Sequence, residues 1–241
     1  MEARSRGERA DGALFAQTLE SLKQEGANIL LVGPGAKAAH ERVCCRLLGE
    51  LSDQPRYRLI VTASETTYRG HSCTAAETGP ETNVFKIDPP ADGQSAGSTD
   101  SAVLAAENRC ETETKETHLT HTPEVSLSVL GSAVFDAVTE IEAGSDGLEP
   151  AELRVCVDSL VPFLSDYQTE TVFRFLHMTT ASVKQVSGMG HFHLPLDADH
   201  DAVNLLEPLF DATVEVRIRD GGYEQRWYLR DSNGPSEWIE L

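Results

Sequence analysis

The chain has 241 residues, a length that suits one α/β domain with a full apolar core. Its formal charge of −19 comes from 39 acidic residues against 20 Lys and Arg, of which five are lysine. This charge argues against a nucleic-acid backbone or an anionic membrane as a partner, because both would be repelled.

The acid excess, scarce lysine and few aromatic residues are typical of proteins from halophilic archaea that accumulate salt. Molar salt shortens the Debye length to about 3 Å, so like charges no longer strain the fold. An acidic protein of a mesophile is the alternative.

We expect a cytoplasmic location, since MEARSRGERADG has no apolar segment typical of a signal peptide and no run approaches the about 20 apolar residues of a membrane span.

The cysteines show neither a C-x-x-C pair nor a spacing typical of zinc ligands. Cys156 falls in a predicted buried strand, and Cys44 or Cys45 falls on the packing side of a predicted helix. Cysteine acts as a small hydrophobic residue in such positions. The sequence therefore predicts reduced thiols in a cytoplasmic protein for all five cysteines, Cys44, Cys45, Cys73, Cys110 and Cys156.

The first part of the chain alternates helix and strand. After a flexible tail over residues 1–10, a helix is predicted from Asp11 to Gln24, packing across the sheet edge. Three predicted strands follow, at Ile29–Val32, Tyr57–Thr62 and Asn83–Ile87. Residues 88–122 are then polar and poor in large apolar side chains, which predicts a disordered acidic loop rather than a lid.

The second part continues the alternation and ends in a hairpin. Its predicted elements are a helix over 123–142, a strand Leu153–Val157, a helix Thr169–Val186, a strand Gly190–Leu194, a short helix Asp201–Phe210, paired strands Thr213–Ile218 and Tyr223–Leu229, and an edge strand Ser236–Ile239. The pattern predicts one α/β domain over residues 11–241, with a mostly parallel sheet covered by helices on both faces.

The turn Gly33-Pro34-Gly35 stands between the first strand and a helix. Strand, glycine turn and helix form the frame of a P-loop, whose backbone N–H groups hold phosphate. With Gly33 as the first glycine of G-x-x-x-x-G-K-[ST], the second glycine, the lysine and the hydroxyl are replaced by Ala38, Ala39 and His40. The phosphate lysine and the magnesium hydroxyl are therefore missing, unless Lys37, two places early, still reaches a phosphate.

Asp158 follows a predicted buried strand in VCVDSL. An aspartate there matches the Walker B position, which holds magnesium by way of water in a working NTPase. The alternative is that Asp158 caps the following turn.

The order of GPGAKAAH, IVTASET, VCVDSL and the closing hairpin resembles the RecA/KaiC-like P-loop ATPases, in particular haloarchaeal KaiC-like proteins with degenerate Walker motifs. The resemblance covers residues 27–219 and implies a three-layer RecA-like fold, with ATP and Mg as ligands of working members. It also implies an acidic pair after the second strand, one member of which activates water. Ser64 and Glu65 occupy those places, so Glu65 is a candidate vestigial base or an exposed loop glutamate.

His191 and His193 lie two residues apart in a predicted strand, so both imidazoles point to one face. With the acidic turn that follows they could hold zinc or manganese; its residues are Asp197, Asp199, His200 and Asp201. Scattered acidic residues without a metal are the alternative. Cys110, His118 and His121 form a weaker grouping.

These features predict a non-catalytic regulatory or scaffolding protein of RecA/KaiC-like fold, a pseudo-ATPase that binds a protein partner or a related RecA-like subunit. A weak or conditional ATPase is one alternative. A metal-dependent enzyme that uses the His191/His193 face is the other.

Overall fold

The computed structural model describes residues 15–49, 56–62, 82–87, 114–119, 127–145, 147–230, 232 and 234–241. Within them, nine strands form one sheet in the order β4-β3-β2-β5-β6-β1-β7-β8-β9. The strands are β1 (Ala27–Val32), β2 (Tyr57–Thr62), β3 (Thr82–Ile87), β4 (Thr114–Leu119), β5 (Leu153–Val157), β6 (Met189–Leu194), β7 (Ala212–Arg219), β8 (Gly222–Leu229) and β9 (Ile239–Glu240). Strands β1 to β7 are parallel, and β8 and β9 are added antiparallel.

Six helices accompany these strands in the described part of the chain. They are α1 (residues 15–25), α2 (Lys37–Leu47), α3 (Leu127–Gly144), α4 (Val161–Asp166), α5 (Thr169–Gln185) and α6 (Asp201–Leu206), which a 3-10 turn (Glu207–Leu209) extends. Pro162 lies in the first turn of α4, where its missing N–H leaves no helical hydrogen bond unmade.

Alternating side chains divide the central strands between two apolar layers. On one face, Leu30, Val155 and Phe192 pack in the main core with buried residues of α3 and α5. On the other, Ile29 and Leu31 form a second cluster with residues of α1, α2, β7 and β8. We call these the α5 face and the α2 face. Helices therefore cover the sheet from both sides.

The structure confirms the predicted α/β class, with its mostly parallel sheet and C-terminal hairpin. The RecA-like arrangement within that class stays a prediction. Helix α1 packs through Phe15, Leu19 and Leu22 on the α2 face, not across the sheet edge. The last edge strand is shorter than predicted and lies at Ile239–Glu240.

Two parts of the prediction are wrong. Residues Thr114–Leu119, placed in a disordered loop, form β4 and pair with β3 in parallel. Pairing with an existing strand satisfies their backbone, so a polar segment needs no apolar pattern to become an edge strand. Helix α4 was not predicted because six residues are too few to show helical periodicity.

No helix in the described part of the chain combines the length and apolar character needed to cross a bilayer.

Candidate functional site

The glycine turn is tightly packed against neighbouring backbone. The Gly33 N–H donates to the Leu196 carbonyl at 2.9 Å. A side chain at Gly33 (φ +127°) would overlap the Val216 carbonyl oxygen, whereas one at Gly35 (φ +64°) would meet nothing within 4 Å. Both glycines are therefore explained by backbone conformation, and Gly33 also by close packing, without a bound phosphate.

Helix α2 begins directly after the turn, at Lys37. The N–H groups of Ala39 and His40 donate to the Ala36 carbonyl at 2.9 and 3.0 Å. Ala39, which stands at the phosphate-lysine position, is 0 % exposed and packs in the apolar cluster of the α2 face. A side chain at this position therefore points into the protein.

Lys37 lies on the outer surface of α2. Its side chain is 74 % exposed, and its Nζ is 3.9 Å from Glu41 Oε1 one helical turn further on. An exposed pair of this kind contributes little to stability. The ammonium group is thus directed along the helix surface and not into the turn.

His40, at the magnesium-hydroxyl position, is buried beneath the turn. Its Nε2 donates to the Gly33 carbonyl at 2.9 Å, and its Nδ1 lies 3.1 Å from Nδ1 of His193. Burial, and then the neighbouring His193, lower the pKa of His40 to about 4. His40 is therefore a neutral imidazole at pH 7, with a proton on Nε2 and a lone pair on Nδ1.

Four side chains of the α2 face converge one helical turn further along α2. Cys44, Cys156, His191 and His193 are each at most 3 % exposed, and one ligand atom from each lies within 4.8 Å of all the others. Cys44 Sγ is 3.7 Å from Cys156 Sγ and 3.3 Å from His191 Nε2. We call this group the Cys–His cluster.

Neither cysteine of the cluster is disulfide-bonded. The hydrogen bond from the Cys156 thiol, aided by His191, holds the pKa of Cys44 well below its ordinary value. The same bond, together with burial, raises the pKa of Cys156. The two buried sulfurs are therefore electrostatically coupled, with opposite pKa shifts.

Two buried arginines hold the other end of α2. Arg58 Nε donates to the Leu48 carbonyl at 3.1 Å, and Arg154 donates to the Leu47 carbonyl at 3.2 Å. Burial and the neighbouring Arg56 and Arg58 lower the pKa of Arg154 to about 10. Cations at a helix C-terminus satisfy its unpaired carbonyls and complement its dipole. Helix α2 is thus tied to the sheet by polar contacts at both ends and in the middle.

Asp158 lies buried at the end of β5, as predicted, and its N–H donates to the Val61 carbonyl at 3.0 Å. Ser64 and Glu65 lie outside the described residues, as do Cys110, His121 and the side chain of His118.

The acidic turn after β6 does not join the histidines. His200 caps α6 by accepting from the Ala202 N–H at 3.1 Å, and the Asp199 carbonyl accepts from Asn204. The predicted shared face of His191 and His193 is therefore correct, but their neighbours are two cysteines instead of the carboxylates.

The prediction of five reduced thiols is also wrong, since Cys45 is disulfide-bonded. Cys45 follows Cys44 on α2, and adjacent helical residues point in different directions. One therefore enters the cluster while the other does not.

Sequence reasoning missed Cys44 and Cys156 as members of the cluster. Two weak signals were available in the sequence. His40 and Cys44 are four residues apart and so share one face of a helix. Cys156 and Asp158, like His191 and His193, are two residues apart, the spacing of side chains on one face of a strand. Cys156 meets His191 because the two residues are partners in the register of β5 and β6. These residues are far apart in the sequence, so their spacing does not predict the contact.

Comparison with protein families gives one finding. The sequence model of a family of unknown function, DUF7504, matches residues 26–216. The chain belongs to the DUF7504 family. The matched range of this DUF7504 member contains the glycine turn, α2 and all four residues of the Cys–His cluster, and ends within β7. No curated protein matches the chain.

Proposed function

We propose that this DUF7504 member is a non-catalytic regulatory or scaffolding protein of RecA/KaiC-like fold, a pseudo-ATPase. The observation that carries the proposal is the bond from His40 Nε2 to the Gly33 carbonyl. A side chain of the protein closes the turn at the place where a working P-loop keeps a hydroxyl for magnesium.

Phosphate binding would be weak for two reasons. The missing lysine removes a charge-assisted hydrogen bond, about 1.5–3 kcal/mol of ground-state binding. In addition, the N–H groups of Ala39 and His40 already donate to Ala36. A nucleotide would therefore have to compete with bonds inside the protein.

The RecA-like part of the proposal rests on several features together. The glycine turn follows β1, which is the sixth of nine strands in the sheet, Asp158 follows β5, and the C-terminal strands form an antiparallel hairpin. These features are those expected from the resemblance in the sequence. They support the fold assignment without requiring any retained activity.

The Cys–His cluster does not favour a metal-dependent enzyme. Catalytic zinc sites keep an open position for water or substrate, whereas structural sites are closed by four protein ligands. All four side chains here are buried, so a metal held by them would have no open face. A binding function fits this arrangement better than hydrolysis.

In this proposal the protein acts by binding a partner, such as a related RecA-like subunit, and shifting its state through differential affinity. Every residue of β1 and β5 is buried, whereas the positions that contact phosphate and magnesium in a working P-loop are replaced. A fold needed as a binding surface would show that combination.

Calorimetry with Mg-ATP in molar KCl tests whether the protein has lost tight nucleotide binding. We expect no binding tighter than about 1 mM. Micromolar affinity would contradict the proposal. If that affinity were lost in Asp158→Ala or Glu65→Ala, the conditional ATPase would be the better description.

The proposal that the protein acts by binding a partner is tested in source cells that carry either the wild-type protein or an Asp158→Asn variant. Tagged protein recovered at high salt should carry a stoichiometric protein partner, and the variant should keep that partner and the wild-type phenotype. A wild-type protein that is monomeric and alone, or a variant with the defect of a deletion, would mean that chemistry at the turn still matters.

A further inference from the structure

We propose that Cys44, Cys156, His191 and His193 form a closed tetrahedral zinc site that fastens α2 to the centre of the sheet. The inference does not depend on the proposed function, because a structural metal can stabilise an active or an inactive protein.

The distances suit zinc. Two thiolate sulfurs bound to one tetrahedral zinc are about 3.8 Å apart, and a sulfur and an imidazole nitrogen are about 3.6 Å apart. The observed distances are 3.7 Å between the sulfurs and 3.3 Å between Cys44 Sγ and His191 Nε2. All four ligand atoms lie within 4.8 Å of one another, so zinc binding requires shifts of only about 1 Å.

The donor set also points to zinc. Two sulfurs and two imidazoles in a tetrahedron favour zinc over the oxygen-preferring cations magnesium, calcium and manganese. When zinc binds, both cysteines coordinate as thiolates, and any thiol protons leave to the solvent. Two thiolates and two neutral imidazoles give a site of zero net charge, which suits complete burial.

The neighbouring histidine orients one ligand. The Gly33 carbonyl can only accept, so His40 carries its proton on Nε2 and offers a lone pair at Nδ1. His193 must then donate from its own Nδ1, 3.1 Å away, which leaves Nε2 as the nitrogen that can coordinate. Metal-bound histidines typically donate their second N–H in this way, and that bond fixes the tautomer.

The ligands come from three separate parts of the chain. Cys44 lies on α2, Cys156 on β5, and both histidines on β6. A metal bound by all three would hold α2 against the sheet, and its binding would add to the stability of the folded state.

The primary experiment measures metal in the full chain purified in molar KCl without chelators. We expect about one zinc per chain by elemental analysis. After zinc removal, Co²⁺ should give the intense visible bands of tetrahedral coordination and near-ultraviolet thiolate charge-transfer bands. Zinc should also raise the thermal midpoint of the metal-free protein.

Variants then test the ligand set. Cys156→Ser and His191→Gln should each lower the zinc content and abolish the tetrahedral cobalt spectrum. His177→Gln is the matched control, because His177 is exposed on α5. It should keep both signals at the wild-type level.

The wild-type measurements decide the proposal even if a variant fails to fold. Folded protein that contains no metal and takes up neither Zn²⁺ nor Co²⁺ would overturn it. Bound zinc that persists in folded Cys156→Ser and His191→Gln proteins would overturn the assigned ligands. Iron or copper at one equivalent in place of zinc would overturn the assigned metal.

Discussion

The two faces of β6 bury chemically different side chains. On the α5 face, Phe192 and Leu194 are buried among apolar side chains, and the Phe192 ring lies 5.1 Å from that of Phe210. On the α2 face, His191 and His193 are buried to nearly the same extent but contact Cys44, Cys156 and His40.

The difference shows which buried residues need a specific explanation. Apolar packing tolerates many combinations of residues of suitable volume. A buried polar side chain is tolerated only when its hydrogen bonds or ligands are satisfied, so each member depends on the others. We therefore expect substitutions on the α5 face to change mainly the stability of the fold. Substitutions in the Cys–His cluster of the α2 face should also change ligand binding.

The largest effect is expected on the α5 face. Phe192→Ala should lower the free energy of unfolding by about 3–5 kcal/mol, because it leaves a cavity in the main core. Chemical denaturation in molar KCl measures the change. Phe173→Ala, which alters a residue 39 % exposed on α5, should change it by less than about 0.5 kcal/mol. Similar losses in both variants would mean that the two positions do not differ in packing.

The turn that leads to the α2 face gives a slightly smaller effect. Gly33→Ala should destabilise the protein by about 3 kcal/mol, since the new Cβ overlaps the Val216 carbonyl oxygen. Gly35→Ala should lose only about 1 kcal/mol, from its positive φ. Both are measured by denaturation. A Gly33→Ala protein as stable as the wild type would show that the turn is not closely packed.

On the α2 face itself, His40→Ala should lower the free energy of unfolding by about 1–3 kcal/mol, because His40 bonds both Gly33 and His193. It should also weaken zinc binding about 10–100-fold, since His40 orients a ligand. Competition with a chromophoric chelator measures the affinity. His177→Ala should leave it unchanged, and an unaltered affinity in His40→Ala would remove His40 from the site.

The smallest expected effect is the change of zinc affinity with salt, which should be compared with the effect of salt on the stability of the fold. Raising KCl from about 0.1 to 2 M should stabilise the fold, because it screens the repulsion among surface carboxylates. Zinc affinity should change little over the range in which the protein stays folded, since buried contacts are screened less. Denaturation and chelator competition at each salt concentration measure the two quantities. Equal stability at both concentrations would contradict salt adaptation.

Most strands and helices of this protein can be predicted from its amino-acid sequence alone. Apolar runs such as Leu153–Val157 and glycine stops such as Gly188 predicted strands and helices close to those observed. The period-two pattern also placed His191 and His193 on one face. These features are local, so composition and periodicity suffice to find them.

The sequence could not reveal β4 or the Cys–His cluster, because both depend on pairing between distant segments. Thr114–Leu119 becomes a strand only because β3 offers an unpaired edge. Cys156 meets His191 only through the register of β5 and β6, and Cys44 joins them only because α2 packs across that face. Metal-ligand geometry is set by distances of a few ångströms, and in this protein only the tertiary structure brings the four side chains that close.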